Sequence, residues 1–380
     1  MKFLLIYVPN LRFSSFTDLF RLYTLKDVLQ RVSIPVNVEE NKLYYQIGIR
    51  SHSKGIFHKE AETGKQIGNK RIFWIEPNCL ILNIVFAWEQ AVAKTSEKEV
   101  GMVASHRFPM YKVLNNSLDY IVDFFKTEKG KQLLQMASPG GAGRNKTLNQ
   151  DFFLNSKIYL PSLNEQLKTS NLIELIEDRI ETQIKIIDTL LSEMNSIRSL
   201  IFNKSSLKWI PLKDIVAEQD IKLKRGKVIP KHKKNLKYIY PVYSSSITNS
   251  GLMGYSDSYM FNQELITWSI DGGGNFFYRK KHKFNITNVS GYMILNENLF
   301  NYQFIVQSLI WQHEKLKFDY QTKAHPSVVE SLYKIPIMDL EEQHKYACLF
   351  SNLNEKYELE LHILDLLNMQ KKYLLKNMFV

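Results

Sequence analysis

The sequence predicts an α+β fold in which two similar mixed α/β modules alternate with two long helices. Three observations carry this prediction: a repeat at an offset of 177 residues, an apolar seam in each helical copy, and strand-like runs in the segments between. The layout is a first module over 1–156, a helical segment over 157–206, a second module over 207–333 and a second helical segment over 334–380.

The repeat is read directly. Lys157-Ile158-Tyr159-Leu160-Pro161-Ser162-Leu163-Asn164-Glu165-Gln166 aligns with Lys334-Ile335-Pro336-Ile337-Met338-Asp339-Leu340-Glu341-Glu342-Gln343, and the same offset carries Phe202 onto Phe379 without a gap. In each copy a short Pro- or Asp-containing leader precedes acid in a first helical turn. Apolar residues then recur at Ile173, Ile176, Ile180, Ile187, Leu190, Met194, Ile197 and Ile201, a heptad seam broken only at Gln183. The second copy repeats it at Phe350, Leu353, Tyr357, Leu364, Leu367, Leu374 and Met378, with Glu360 and Lys371 as polar interruptions. No Pro or Gly occurs from Leu167 to Phe202 or from His344 to Val380, so either helix reaches roughly 55 Å at 1.5 Å per residue. Two matched seams in one chain supply each other's partner. Heptads alone leave the direction of pairing open.

The remaining segments are also kin. Leu25-Lys26-Asp27-Val28 opens the first and Leu212-Lys213-Asp214-Ile215 the second. Strands are expected at Lys42–Ile49 and Arg71–Ile75 in the first, and at Tyr238–Tyr243, Glu264–Ile270 and Ser290–Leu295 in the second. Asp271-Gly272-Gly273-Gly274-Asn275 reads as a tight turn between strands.

The net charge of +12 points to a polyanionic partner, a nucleic acid or an acidic membrane surface. Its distribution separates the two. The first module carries +7, the first helical segment −1, the second module +7 and the second helical segment −1. A membrane-binding amphipathic helix would carry the charge itself; here the modules do, as phosphate contact requires. No apolar run of about 18 residues exists to span a bilayer, and Met1–Tyr7 is too short for a signal peptide. Cys79 and Cys348, without metal-ligand spacing, fit reduced thiols in a cytoplasmic protein.

Candidate DNA-binding residues cluster. The first module offers Lys65, Lys70, Arg71, Arg107, Arg144, Asn145 and Lys146; the second offers Lys222, Lys224, Arg225 and Lys227, and Arg279, Lys280 and Lys281. A further run is Lys231-His232-Lys233-Lys234. Between lies a loop dense in hydrogen-bonding groups, with Ser244, Ser245, Ser246, Thr248 and Asn249, while His325 precedes Pro326 in a loop. Lys and Arg fix register on phosphates; Ser, Thr, Asn and Arg also reach base edges.

Catalytic chemistry is not visible. There is no Asn-Pro-Pro-Tyr-like run for holding a flipped base, no phosphate loop and no His-Glu-x-x-His ligand set. The expectation is a chain without catalysis, metal or cofactor.

These features together resemble the specificity subunits of type I restriction-modification systems. Val8-Pro9-Asn10-Leu11-Arg12-Phe13 resembles the family's opening, and Leu160-Pro161-Ser162-Leu163-Asn164-Glu165-Gln166 the signature at the start of its central helix. Pro241-Val242-Tyr243-Ser244-Ser245-Ser246-Ile247 is similar to a loop of its target-recognition domains, with Ser in place of the usual Gly. The resemblance implies that each module is a target-recognition domain for half of a split DNA target. It implies that the helices pair as an antiparallel coiled coil with internal pseudo-twofold symmetry, and that their length sets the spacer. It implies partner modification subunits bringing S-adenosylmethionine and restriction subunits bringing ATP and Mg. A stand-alone DNA-binding regulator or anti-restriction decoy of the same plan is the alternative, separated by the genomic neighbours.

Overall fold

The computed structural model describes residues 8–140, 146–246, 248–271, 273–316 and 323–380. The chain forms two compact units, Met1–Thr182 with Leu364–Val380, and Gln183–Ile363. The central helix spans Leu163–Phe202 and the C-terminal helix Leu340–Met378, so each contributes to both units.

The seam read from the sequence is the buried face. Ile173, Ile176, Ile187, Leu190, Met194 and Ile201 on one helix, and Phe350, Leu367, Leu374 and Met378 on the other, are all buried. In the first unit Ile173 and Ile176 share a core with Leu374 and Met378, and Lys371 donates to Glu177 at 2.8 Å. In the second, Gln183 Nε2 donates to Glu360 Oε2 at 2.6 Å and Lys204 Nζ to Tyr346 Oη at 3.0 Å. Partners descend along one helix as residue numbers rise along the other, so the helices pack together antiparallel. Two of the polar breaks in the seams, Gln183 and Glu360, are repeat equivalents, and they bond to each other across 177 residues of sequence.

The first unit begins and ends its module on one pair of strands, Arg21–Thr24 antiparallel to Lys157–Leu160. The Leu25–Val28 motif follows as a helical turn with Leu25 and Val28 buried. A four-stranded sheet runs in the order Leu29–Val32, Met110–Val113, Leu80–Leu82, Val92–Lys94, and the helix Leu118–Lys126, capped by Ser117, packs on it. The expected strand Lys42–Ile49 is two strands. Leu43–Tyr44 pairs with Glu62–Thr63, and Ile47–Ile49 with Ile56–His58, because at Tyr45 and Gln46 the backbone turns its bonding to Val103. The strand expected at Arg71–Ile75 covers Ile72–Trp74.

The second unit repeats the closure. Lys208–Pro211 pairs antiparallel with Lys334–Ile337, and Leu212-Lys213-Asp214-Ile215 begins the helix Leu212–Ala217. Its six-stranded sheet has the order Ile221–Arg225, Ser290–Leu295, Phe261–Ser269, Phe276–Ile286, Tyr240–Tyr243, Leu252–Ser256. The expected strand Tyr238–Tyr243 starts two residues later, and Glu264–Ile270 lies mostly inside the longer Phe261–Ser269, which carries a bulge between Gln263 and Leu265. The glycine-rich stretch joins the antiparallel partners Phe261–Ser269 and Phe276–Ile286, with φ of +83° at Gly273 and +78° at Gly274. The helix Tyr302–Lys315, capped by Asn301, covers the sheet with Phe304, Ile305 and Leu309.

One device recurs in both units. Gln166 Oε1 accepts the N–H of Ser117 at 2.9 Å, and its Nε2 donates to Pro161 O at 3.0 Å. Gln343 Oε1 accepts the N–H of Asn301 at 2.9 Å, and its Nε2 donates to Met338 O at 2.9 Å. Each repeated glutamine ties the start of a long helix to its own leader and to the cap of the helix on the adjoining sheet.

Candidate nucleic-acid interface

The second module builds its polar loop on a strand end. Tyr240–Tyr243 runs parallel to Phe276–Ile286, so Ser244 leaves the sheet beside Thr287. Ser244 is buried; its N–H donates to Gly251 O at 2.8 Å and its Oγ accepts from Thr287 Oγ1 at 2.8 Å. Ser245 O accepts from Ser269 Oγ at 2.9 Å. Asn249 and Ser250 adopt φ of 50° and 49°, and both are exposed at the turn. A side chain at Gly251 would place Cβ 2.8 Å from Ser244 O, so the loop closes only on glycine. The loop therefore offers Asn249 and Ser250 outward from a fixed base. Thr248 lies in the same turn. Ser246 is half-buried.

Arg279 departs from the expectation of a surface contact. It is 5 % exposed and lies beneath this loop, with its guanidinium 3.8 Å from the Tyr243 ring centroid and 5.0 Å from that of Phe277. Its Nε donates to Thr267 Oγ1 at 3.0 Å. Burial pushes its pKa down to about 10, so it stays cationic at neutral pH. The reason is register: Arg279 faces Leu265 across the bulged pair and so points inward, while Lys280 and Lys281 are exposed. The arginine supports the loop and puts a positive charge under it.

Around this base the strand period sorts the cations. On the edge strand Ile221–Arg225, Ile221 is buried while Lys222 and Lys224 are exposed. Arg225 is engaged, donating to Asn288 O at 2.7 Å from Nη2 and 3.1 Å from Nε. Lys227 is exposed, with its N–H donating to Ile286 O. Lys280 Nζ pairs with Glu355 at 3.2 Å on the C-terminal helix. His325 precedes the helix Pro326–Leu332 and is half-buried.

In the first module Lys65, Lys70, Arg71 and Arg107 are all exposed. A backbone bond from His106 N–H to Arg71 O and another from Ile84 N–H to Arg107 O place the two arginines on neighbouring segments. Lys146 sits over the Trp88 ring at 5.3 Å. Arg144 and Asn145 lie outside the described residues. Residues that the sequence did not offer as contacts include Tyr243, quoted only within the family-like loop and here carrying Arg279, and Leu236, Lys237 and Tyr238, whose signal was the neighbouring lysine run.

Among the described residues no group of His, Cys, Asp or Glu could hold a metal ion, and no helix is long and apolar enough to cross a membrane.

A duplicated mixed module mounted on paired antiparallel helices defines the class to which this chain's fold belongs. Residues 208–369 match the family model of the type I restriction modification DNA specificity domain. It is 33% identical over 132 residues to a Mycoplasma pneumoniae protein named as a type I specificity subunit, covering 31% of this chain and 41% of the relative. A second M. pneumoniae protein so named is 28% identical over 170 residues, covering 44% and 45%. The chain thus spans less than half the length of these two relatives. In fold it is similar to the crystal structure of a type I restriction-modification S subunit from M. genitalium, with TM-score 0.66 and 16% identity over 98% of this chain and 99% of that one. A chain from a structure concerned with assembly of the type I system matches with TM-score 0.57 and 12% identity, covering 94% and 96%. The resemblance read from the sequence holds.

Proposed function

We propose that this chain is the DNA-specificity subunit of a type I restriction-modification system. It reads a two-part target, one half with each module, and directs modification and restriction subunits to it. Lysines on the exposed edges hold phosphates and set register; the loop at Ser244–Gly251, with Asn249 and Ser250 outward, and the Arg71–Arg107 face meet base edges. The chain performs no catalysis. S-adenosylmethionine is held by the modification subunits, and ATP and Mg by the restriction subunits, all in the cytoplasm with the DNA. The observation that carries this reading is the duplication: the same leader-strand closure and the same glutamine lock occur at both ends of paired helices. Two similar modules in one chain suit a target read in two halves.

Methylation mapping tests it. Cells making the chain with its cognate modification subunit should carry one interrupted methylated motif that vanishes when the chain is deleted. A pattern indifferent to the chain would overturn the assignment.

A further inference from the structure

The lysine run of the second module ends in a turn held by its own side-chain and backbone hydrogen bonds. Asn235 Oδ1 accepts the N–H groups of Lys237 at 2.9 Å and Tyr238 at 2.8 Å, and Asn235 N–H donates to Tyr238 O at 3.2 Å. Behind the turn, His232 stacks on Tyr238 with ring centroids 3.9 Å apart and 17° between planes. His232 and Tyr255 exchange both backbone hydrogen bonds, at 3.0 and 2.9 Å. The turn is therefore braced on two sides.

What it presents is Leu236, 103 % exposed, more than any other large apolar side chain among the described residues. A lone exposed leucine is ordinary. This one differs in its setting. Lys231, Lys233, Lys234 and Lys237 flank it in sequence, all exposed; Lys234 lies over the Tyr255 ring at 5.5 Å, and Lys237 lies over the Tyr238 ring at 5.4 Å and 3.9 Å from Asp257. An apolar tip borne on a lysine-rich segment is repelled by a basic protein surface and drawn to a phosphate backbone. A stiff turn keeps the leucine from folding back onto its own module.

We propose that Leu236 is a wedge that enters the minor groove of duplex DNA and partly unstacks one base step, with the neighbouring lysines holding the flanking phosphates. The inference rests on the reading that this module binds DNA and adds a mechanical act to it: the module kinks its half of the target. A kink also makes the half-site sensitive to step flexibility at bases that no side chain touches.

The test uses the full chain and a duplex of about 30 base pairs selected by that chain from a random pool. Energy transfer between dyes at the duplex ends reads the kink, and 2-aminopurine placed along the half-site reads unstacking. Leu236→Ser should bind the same selected sequence, lose the 2-aminopurine signal and restore the end-to-end distance of free DNA, while Leu236→Phe should keep the kink. Leu236 is outside the core, so both variants should melt like the parent. If Leu236→Ser bends and unstacks the duplex as the parent does, the wedge is wrong and DNA reading stands. If the parent selects no duplex at all, DNA reading fails, and the wedge with it. Unchanged bending with weakened capture of a modification subunit would reassign the tip to a protein contact.

Discussion

A buried glutamine takes up to four hydrogen-bonding positions out of water, and each left unpaired costs about 1–3 kcal/mol. Gln166 and Gln343 are each 1 % exposed and each makes three of those four bonds, which explains why one residue type recurs at the same place in both repeats. Gln343→Ala strands the N–H of Asn301 and the carbonyls of Leu299 and Met338. It should cost about 2–4 kcal/mol in urea unfolding, with faster amide exchange at Asn301. Asp123 makes a second case. Burial pushes its carboxyl up to about 6 from an ordinary 3.8, although Lys126 lies 2.8 Å away. The folded protein therefore holds this proton more tightly than the unfolded chain. Its contribution favours folding at low pH and is lost as pH rises from about 4 to 6, by at most about 3 kcal/mol. Asp123→Asn should stabilise the protein relative to the parent at pH 8, and the difference should shrink towards zero by pH 4; a difference constant with pH would refute the assignment. The repeat marks Gln166 and Gln343 as equivalents, but the burial of these glutamines and of Asp123 was not legible beforehand, because burial of a polar side chain is decided by partners far away in sequence. Arg279 illustrates the same limit. In sequence it is one cation among three, and only the strand register turns it inward beneath the loop.

Helices announce themselves in sequence because their packing face recurs every three or four residues. The seam from Ile173 to Ile201 was legible, and so was a glycine-rich connection between the antiparallel strands Phe261–Ser269 and Phe276–Ile286. Strand partners were not: Lys42–Ile49 looks like one strand and divides because its two halves find different partners. The seams also contain their own exception. Gln183 and Glu360 interrupt equivalent heptads and bond to each other. A polar pair in an apolar seam lowers stability while fixing register and direction. Replacing both with Leu should raise the unfolding midpoint by about 1–2 kcal/mol equivalent. Gln183→Leu alone should destabilise, because it leaves Glu360 facing an apolar partner. A double variant less stable than the parent would mean that the pair stabilises outright.

At the scale of the molecule, charge lies on the modules and length lies in the helices. That division was legible from charge counts and repeat spacing, while the bases read are not, since they depend on loop placement at Asn249 and Ser250 and on DNA shape. The central claim is that paired helices set the distance between two reading modules, and methylation sequencing after insertion of one heptad into each long helix tests it most directly. Seven residues add about 10 Å of helix, or about 3 base pairs. The account predicts the same two half-sites with a spacer longer by about that amount. Altered half-sites with an unchanged spacer would contradict it.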